Sequence, residues 1–214
     1  WADFNEKDDQ YFGIPFWDAD GSRFIIPWMP RVQQDLIFYS VNPISGAKES
    51  IYKEHQNTWI EWPDQMEFVK DGVYMVRDFS MWEEIYYQSF DGKTSRQITD
   101  GKNWNIKFIR LDQKNGTFYF TAKREISTRD DFYKADIKSG KITRLSAGEY
   151  DYSMIMLSPD NKYFTALRSN AQTPNQVVLM PADGSGTVKT IADSRGPEFD
   201  KYNIALPEIV YIKT

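Results

Sequence analysis

The chain has no cysteine and a single histidine, His55, among its 214 residues. Without cysteine there can be no disulfide, thiolate nucleophile, iron–sulfur cluster or cysteine-based zinc site. One histidine also excludes a metal cage built from several imidazoles. We therefore expect no metal and no other cofactor.

The chain also lacks an excess of basic residues and any long apolar run. Lysine and arginine number 26 against 31 acidic residues, for a net charge of −5. This balance argues against nucleic acid or an anionic lipid surface as partner. No apolar run approaches the roughly 20 residues of a membrane-spanning helix, and residues 1–10 are too acidic and polar for a signal peptide.

Aromatic residues, by contrast, are abundant. Seven Trp, thirteen Tyr and fourteen Phe make up 16% of the chain. Aromatic side chains at this density favour strands over helices.

A repeat is visible in the positions of turn residues. Four stretches combine an apolar start, a polar turn and an aromatic strand, with turns at Gly21, Gly72, Gly116 and Asn161. The intervals are 51, 44 and 45 residues. These residue types accept the positive φ of tight hairpins, so the four stretches are predicted to be equivalent hairpins.

Two further series keep the same period. Alternating strands end in Gly46, Gly92, Gly140 and Gly184, at intervals of 46, 48 and 44 residues. Short polar strands then close on the aliphatic residues Ile51, Ile98, Leu145 and Ile191, at intervals of 47, 47 and 46. Each unit thus holds about four strands in about 46 residues, as in one blade of a β-propeller.

We predict a β-propeller fragment of about four four-stranded antiparallel blades. The boundaries are a lead-in at residues 1–13, blades at about 14–57, 58–102, 103–150 and 151–195, and a linker at 196–214 that ends in a strand-like segment, Ile209–Thr214. Nearly every Trp, Tyr and Phe is interpreted as packing between blades. A β-sandwich remains an alternative, although the long period favours the propeller.

Catalytic motifs are missing from the sequence. It has no Gly-x-Ser-x-Gly elbow, Walker loop, dinucleotide fingerprint or HExxH, and His55 precedes most candidate serines. The aspartates around Asp18 are interpreted as a hairpin turn, as is Asn115-Gly116. Adjacent carboxylates at Glu83-Glu84 could attract a substrate ammonium, but solvated surface is the favoured interpretation.

Several stretches resemble the N-terminal propeller of the dipeptidyl peptidase IV and prolyl oligopeptidase family. They are Ile26-Pro-Trp-Met-Pro-Arg-Val-Gln33, Thr58-Trp59, Phe68-Val-Lys-Asp-Gly72, Trp82, Arg96-Gln-Ile-Thr-Asp-Gly101, Asn103-Trp104, Phe118-Tyr-Phe-Thr-Ala-Lys-Arg-Glu125, Leu157-Ser-Pro-Asp-Asn-Lys-Tyr163 and Leu206-Pro-Glu-Ile-Val-Tyr-Ile-Lys-Thr214. Each is weak alone, but together they span about residues 11–214 in the family's order.

The resemblance implies the C-terminal half of an eight-bladed propeller from a serine exopeptidase that releases N-terminal dipeptides with Pro or Ala second. The catalytic triad would lie on an α/β-hydrolase domain absent from this chain, so the chain alone should not hydrolyse peptides. Its expected roles are gating of substrate access and docking of that domain. The implied location is the bacterial periplasm, or secretion.

The resemblance also supplies the candidate site residues. Trp82 matches an aromatic on a loop that faces the family's active-site cavity, and Glu83 follows it, so both are expected on the substrate-cavity wall. No catalytic or metal-binding residue is assigned. The family's amine-binding glutamate pair would precede Trp1, so Glu83-Glu84 is not given that role.

Two other functions stay open. Leu157–Tyr163 also resembles repeats of periplasmic binding propellers, which favours a free-standing protein-interaction scaffold. Exposed tryptophans on one face would favour glycan binding. Four blades would further leave two open aromatic faces, which predicts a possible homodimer through them.

Overall fold

A computed structural model describes residues 4–18, 20–205, 207–210 and 212. In that part the regular structure is β-strand, apart from a short 3₁₀ helix at Phe199–Lys201. The strands form four antiparallel sheets that follow one another along the chain. The predicted all-β fold with four four-stranded blades is confirmed, and the first sheet carries one additional two-residue strand.

The first compact unit, Trp1–Ile98, contains two of the sheets. The strands of the first sheet are β1 (Gln10–Phe12), β2 (Phe16–Trp17), β3 (Phe24–Pro30), β4 (Asp35–Val41) and β5 (Lys48–His55). Those of the second sheet are β6 (Met66–Val69), β7 (Gly72–Arg77), β8 (Glu84–Ser89) and β9 (Ser95–Gln97). Both β1 and β2 pair with β3.

The two sheets of this unit share a core. Strands β3 and β4 alternate between buried and half-buried positions, as expected for one face packed inward. The fully buried Ile25 and Phe38 of the first sheet pack in one cluster with Val73 and Met75 of the second. The cluster joins the blades by apolar burial, the main favourable term in folding.

The second compact unit, Thr99–Thr214, contains the other two sheets. The third sheet has strands β10 (Trp104–Asp112), β11 (Thr117–Lys123), β12 (Asp131–Asp136) and β13 (Ile142–Arg144). The fourth has β14 (Asp151–Leu157), β15 (Tyr163–Asn170), β16 (Thr173–Pro181) and β17 (Lys189–Asp193).

Aromatic rings and one arginine join the sheets of the second unit. The Phe132 and Phe164 rings meet edge to face at 4.8 Å, inside a cluster that also buries Tyr152 and Met180. Arg110 Nη1 donates to the Ser158 carbonyl at 2.6 Å. The predicted packing of aromatic residues between blades is thus confirmed for Phe132, Tyr152 and Phe164, whereas Phe12, Phe79, Tyr163 and Tyr202 are exposed.

The tryptophans do not follow that prediction. No described tryptophan is in the buried core, and Trp17, Trp59, Trp62 and Trp104 are 36 to 66% exposed. The interpretation of nearly every aromatic as core is therefore wrong for Trp. Tryptophan is large and therefore rarely fully buried, whereas the smaller Phe and Tyr rings fit more easily into a close-packed interior.

The turn prediction is confirmed for most glycines and wrong at one. Gly46, Gly92, Gly140 and Gly184 all have positive φ, between 70 and 88°. Gly72 does not have positive φ and is the first residue of β7. A Cβ there would overlap the Gln88 carbonyl and the Tyr87 ring, so the position needs glycine for close approach.

The ends differ from the predicted segments in two respects. Gln10–Phe12, placed in the lead-in, forms β1 on the edge of the first sheet. Of the strand-like segment 209–214, the described residues 209, 210 and 212 have no strand partner, and 211, 213 and 214 lie outside the described residues. No helix in the described part is long and apolar enough to cross a membrane.

Candidate functional site

The loop between β7 and β8, residues 78–83, carries both predicted site residues. Trp82 and Glu83 are half-buried neighbours on this loop, and Met81 at its tip is 85% exposed. The Met81 N–H donates to the Asp78 carbonyl at 2.9 Å and Met81 has φ of 70°. The loop is therefore a tight turn that projects from the end of the second sheet.

A buried ion pair fixes the base of the loop. Arg77, the last residue of β7, donates from Nη2 to Glu54 Oε1 at 2.6 Å and from Nε to Glu54 Oε2 at 2.8 Å. Both side chains are almost fully buried. Glu54 lies on β5, so the pair joins the first sheet to the second. Bidentate arginine–carboxylate contacts of this kind fix the geometry of the pair as well as stabilising it.

The remaining lone pairs of Glu54 are also used. Tyr52 donates its hydroxyl to Oε2 at 2.7 Å, and Gln56 Nε2 donates to Oε1 at 2.6 Å. Burial and the neighbouring Glu54 charge raise the pKa of Tyr52 well above its ordinary value. Burial alone would lower the pKa of Arg77, but hydrogen bonds and charge from Glu54 outweigh it and the pKa is raised. Both Arg77 and Tyr52 thus stay protonated at any physiological pH.

Aromatic contacts hold the first half of the loop. The Phe79 ring packs edge to face on Tyr86 at 4.9 Å, and the Arg77 guanidinium lies 5.9 Å from the Phe79 ring centre. Burial raises the pKa of Tyr86, which keeps its hydroxyl neutral. The loop therefore presents Met81, Trp82 and Glu83 from a fixed stem.

Glu83 and Glu84 occupy different environments. Glu84 is the first residue of β8, pairs in register with Arg77 and is only 1% exposed. The interpretation of this pair as solvated surface is wrong for Glu84, because the strand turns that side chain into the protein. Only Glu83 of the two can face a ligand outside the sheet.

Sequence reasoning missed Glu54 and Arg77. A signal was present: Glu54 follows the buried Tyr52 at i+2 on β5, so both side chains are on one face. A charged residue at a buried position of an alternating strand requires a partner of opposite charge. The sequence pattern does not predict that this partner is Arg77, 23 residues further along the chain and in the next sheet.

The second unit also has a buried carboxylate at the first residue of a strand, as Glu84 is at the start of β8 in the first unit. Asp131, first residue of β12, accepts Arg144 Nη2 at 2.7 Å and Ser146 Oγ at 2.7 Å. Nearby, the buried Tyr133 hydroxyl has no hydrogen-bond partner in the described part of the chain, and burial raises its pKa. These contacts tie β12 to β13 and the residues after it, which is a structural role.

The other polar motifs behave as turns or surface. Asp18 Oδ1 accepts the Arg23 N–H at 3.1 Å, and Gly116 has φ of 62°, so both hairpin interpretations are confirmed. His55 is exposed and its Nδ1 is 2.8 Å from Asp35 Oδ1. Among the described residues, no group of three or more His, Asp or Glu side chains is placed to hold a metal ion.

Comparisons with known proteins agree with this architecture. Residues 1–175 match the family model of the dipeptidyl peptidase IV N-terminal region. Dipeptidyl peptidase 4 of Arthroderma otae is 25% identical over 183 residues, covering 81% of this chain and 24% of the relative. The relative from Trichophyton tonsurans is 22% identical over 86% of this chain and 25% of its own length. The chain thus spans about a quarter of the length of these curated relatives.

Solved structures share the fold. The crystal structure of Porphyromonas gingivalis dipeptidyl peptidase 4 superposes with a TM-score of 0.74 and 21% identity, over 94% of this chain and 28% of that one. A putative dipeptidyl aminopeptidase IV from Bacteroides ovatus gives a TM-score of 0.75 and 16% identity, over 88% and 30%. The chain belongs to the dipeptidyl peptidase IV N-terminal region family, and its four antiparallel sheets are blades of that family's β-propeller.

Proposed function

We propose that this chain is the non-catalytic propeller portion of a dipeptidyl peptidase IV-like serine exopeptidase. The family match over residues 1–175 is the observation that carries the proposal. The parent enzyme would release N-terminal dipeptides with Pro or Ala in second position. It would act in the periplasm or outside the cell.

Catalysis would belong to a separate α/β-hydrolase domain. The one histidine of this chain, His55, is exposed and contacts Asp35 through Nδ1. Among the described residues no serine hydrogen-bonds to its ring, so a serine triad is not assembled here. The propeller would dock on that domain and admit only short or unfolded peptides. Its contribution to the reaction is access and positioning, without a covalent step of its own.

The β7–β8 loop would form part of the chamber wall. Its stem is fixed by Glu54 and Arg77, so Trp82 and Glu83 would keep their positions when a peptide enters. Glu83 is an acidic residue that would favour cationic peptides, and Trp82 would add apolar contact to a substrate side chain.

The first test is the gene itself. Codons for a few hundred residues after Thr214, containing a Gly-x-Ser-x-Gly elbow followed by Asp and His, are the expected result. A stop codon directly after Thr214 would contradict the peptidase assignment.

The second test asks whether the β7–β8 loop contacts substrate. In the whole gene product, Trp82→Ala and Glu83→Gln should raise KM for a dipeptidyl substrate with little change in kcat, because both residues contact substrate away from the reacting bond. Met154→Ala in the second unit, also an exposed side chain, is the control and should leave both constants unchanged. Unchanged KM in both loop variants would remove the loop from the chamber wall.

A scaffold role is the second candidate, supported by an exposed apolar surface on the fourth sheet. Met156, Tyr163, Val177 and Ile191 on that sheet are 37 to 71% exposed. Patches of this kind often pair with another protein surface, and here a second copy of the chain would supply one. Light scattering that gives a monomer at high concentration would count against such a homodimer.

A further inference from the structure

An aromatic cavity of about 680 Å³ lies in the first unit, away from the β7–β8 loop. It is lined by residues of β1, β2, β3, β4 and β6 and of the segment that leads into β6. The aromatic members of the lining are Phe12, Phe16, Trp17, Phe38, Trp62 and Phe68. A volume of this size is typical of small-molecule sites, which hold roughly 300–1,000 Å³.

The floor of the cavity is rigid. Phe38 is fully buried, and Phe16 packs against it edge to face at 6.2 Å. Phe16 also contacts Phe68 with ring centres 4.4 Å apart. The floor therefore belongs to the core shared by the two sheets and would keep its shape without a ligand.

The rim is made by two tryptophans that are held in place. Trp62 packs on Gly13 so closely that a Cβ at residue 13 would lie 3.2 Å from Trp62 Cε3. Trp17 contacts Phe24 with ring centres 5.2 Å apart. Trp17 is 52% exposed and Trp62 36% exposed, so part of each indole remains open to a ligand.

The charge at the cavity has one sign. Asp64 is the charged residue among the described residues of the lining, and it is exposed. The nearby Arg23 lies over the Phe90 ring at 4.9 Å and 3.9 Å from Asp18, so its charge is already matched. Aromatic faces attract cations electrostatically, most strongly at tryptophan.

From these features we propose that the cavity binds a small ligand that joins an apolar body to an ammonium group. The apolar body would occupy the floor over Phe16 and Phe68. The ammonium would lie at the rim, between the two indoles and Asp64. A glycan fits less well, because apart from Asp64 and the indole N–H groups the lining side chains offer nothing that hydrogen-bonds a hydroxyl.

Three probes of equal length separate charge from shape: 4-phenylbutylamine, 4-phenylbutan-1-ol and 4-phenylbutyrate. At pH 7 they are positive, neutral and negative. Calorimetry and tryptophan fluorescence on the purified 214-residue chain would measure each affinity. The ammonium should bind roughly tenfold more tightly than the alcohol, and the carboxylate most weakly.

Single-residue variants show which side chains cause the preference for the ammonium probe. Asp64→Asn should reduce the preference for the ammonium over the alcohol, while the two indoles retain part of it. The change is isosteric and at an exposed residue, so it should leave the fold intact. Trp17→Ala should weaken the ammonium by roughly five- to tenfold. Trp59→Ala is the matched control, since Trp59 is exposed but does not line the cavity, and it should change nothing.

Three results would overturn the proposal. They are equal affinity for ammonium and alcohol, unchanged discrimination in Asp64→Asn, and no binding of any probe up to its solubility limit. Tighter binding of maltose than of the ammonium would assign the cavity to glycans instead. None of these results depends on peptidase activity, so the outcome is independent of the proposed function.

Discussion

The guanidinium of Arg77 on β7 donates two hydrogen bonds, of 2.6 and 2.8 Å, to the carboxylate of Glu54 on β5. This contact crosses from one blade to the next and sits directly below the loop that carries Trp82 and Glu83. It combines two roles, since it joins two sheets and also fixes a projecting turn.

Glu54→Gln should destabilise the first unit by about 3–5 kcal/mol, because it leaves the Arg77 charge buried without a counter-charge. Urea unfolding would measure the loss. Lys93→Ala, which removes an exposed pair with Asp91, is the control and should cost less than about 1 kcal/mol.

The triple variant Tyr52→Phe, Glu54→Leu and Arg77→Met should recover most of that loss, since apolar residues of similar volume replace buried ion pairs at little cost. Tyr52→Phe is included because the Tyr52 hydroxyl donates to Glu54 and would otherwise be left without an acceptor. If the free energy of unfolding of Glu54→Gln lies within about 1 kcal/mol of the parent's, the assignment of Glu54 and Arg77 as a desolvated ion pair is contradicted.

Asp131→Asn should loosen the second unit selectively. Asp131 is buried and accepts Arg144, Arg129 and Ser146, so the change removes a charge that several donors share. We expect a loss of about 2–4 kcal/mol. Hydrogen exchange should accelerate in β12 and β13 and stay unchanged in β3 and β4. Asp200→Asn, from an exposed pair with Arg195, should leave both units as they are.

Acid should weaken the hairpins through their turn aspartates. Ser89 and the Lys93 N–H donate to Asp91, and Ser158 and the Lys162 N–H donate to Asp160. These hydrogen bonds hold the pKa of Asp91 and of Asp160 below the ordinary value.

The sign of the pH effect follows from that direction. A carboxyl with a lowered folded-state pKa stabilises the fold above its unfolded pKa of about 3.9, and the stabilisation is lost as pH falls through the folded value. The melting temperature should therefore fall between pH 5 and pH 2. A variant with Asp91→Asn and Asp160→Asn should show a shallower fall, and an identical pH profile would refute the role of these turns.

Gly72→Ala and Gly92→Ala should have different costs for different reasons. At residue 72 a Cβ overlaps the Gln88 carbonyl and the Tyr87 ring, which forces β7 and β8 apart at a cost of about 1–3 kcal/mol or more. At residue 92 the space is open and φ is 70°, so only backbone strain of about 1 kcal/mol applies. Gly92→Asn should be nearly neutral. Thermal melts of the three variants would check the order.

The same two glycines illustrate what the sequence could predict. The period of about 46 residues identified four blades, because turn residues recur where each hairpin must reverse. It could not distinguish a glycine needed for positive φ from one needed for close approach of a neighbouring strand, since both requirements select the same residue type. That distinction depends on the Tyr87 ring and the Gln88 carbonyl of a neighbouring strand.

The resemblance predicted that Trp82 and Glu83 lie on a loop, and the structure has both on the loop between β7 and β8. Their contact with a substrate cavity stays a prediction. The Glu54 and Arg77 pair beneath them is a contact between sheets, and local pattern carries no information about such a partner. The exposed tryptophans of the aromatic cavity were likewise assigned to the core, because composition reports ring content and not ring position.

The assignment to a dipeptidyl peptidase is tested by the hydrolysis of glycyl-prolyl-p-nitroanilide by the product of the whole gene, with the isolated 214-residue chain measured in parallel. We expect release of p-nitroaniline by the whole product and none by the chain alone. A folded whole product that leaves this substrate intact, or an isolated chain that cleaves it, would contradict the assignment of this chain as the propeller portion of a dipeptidyl peptidase.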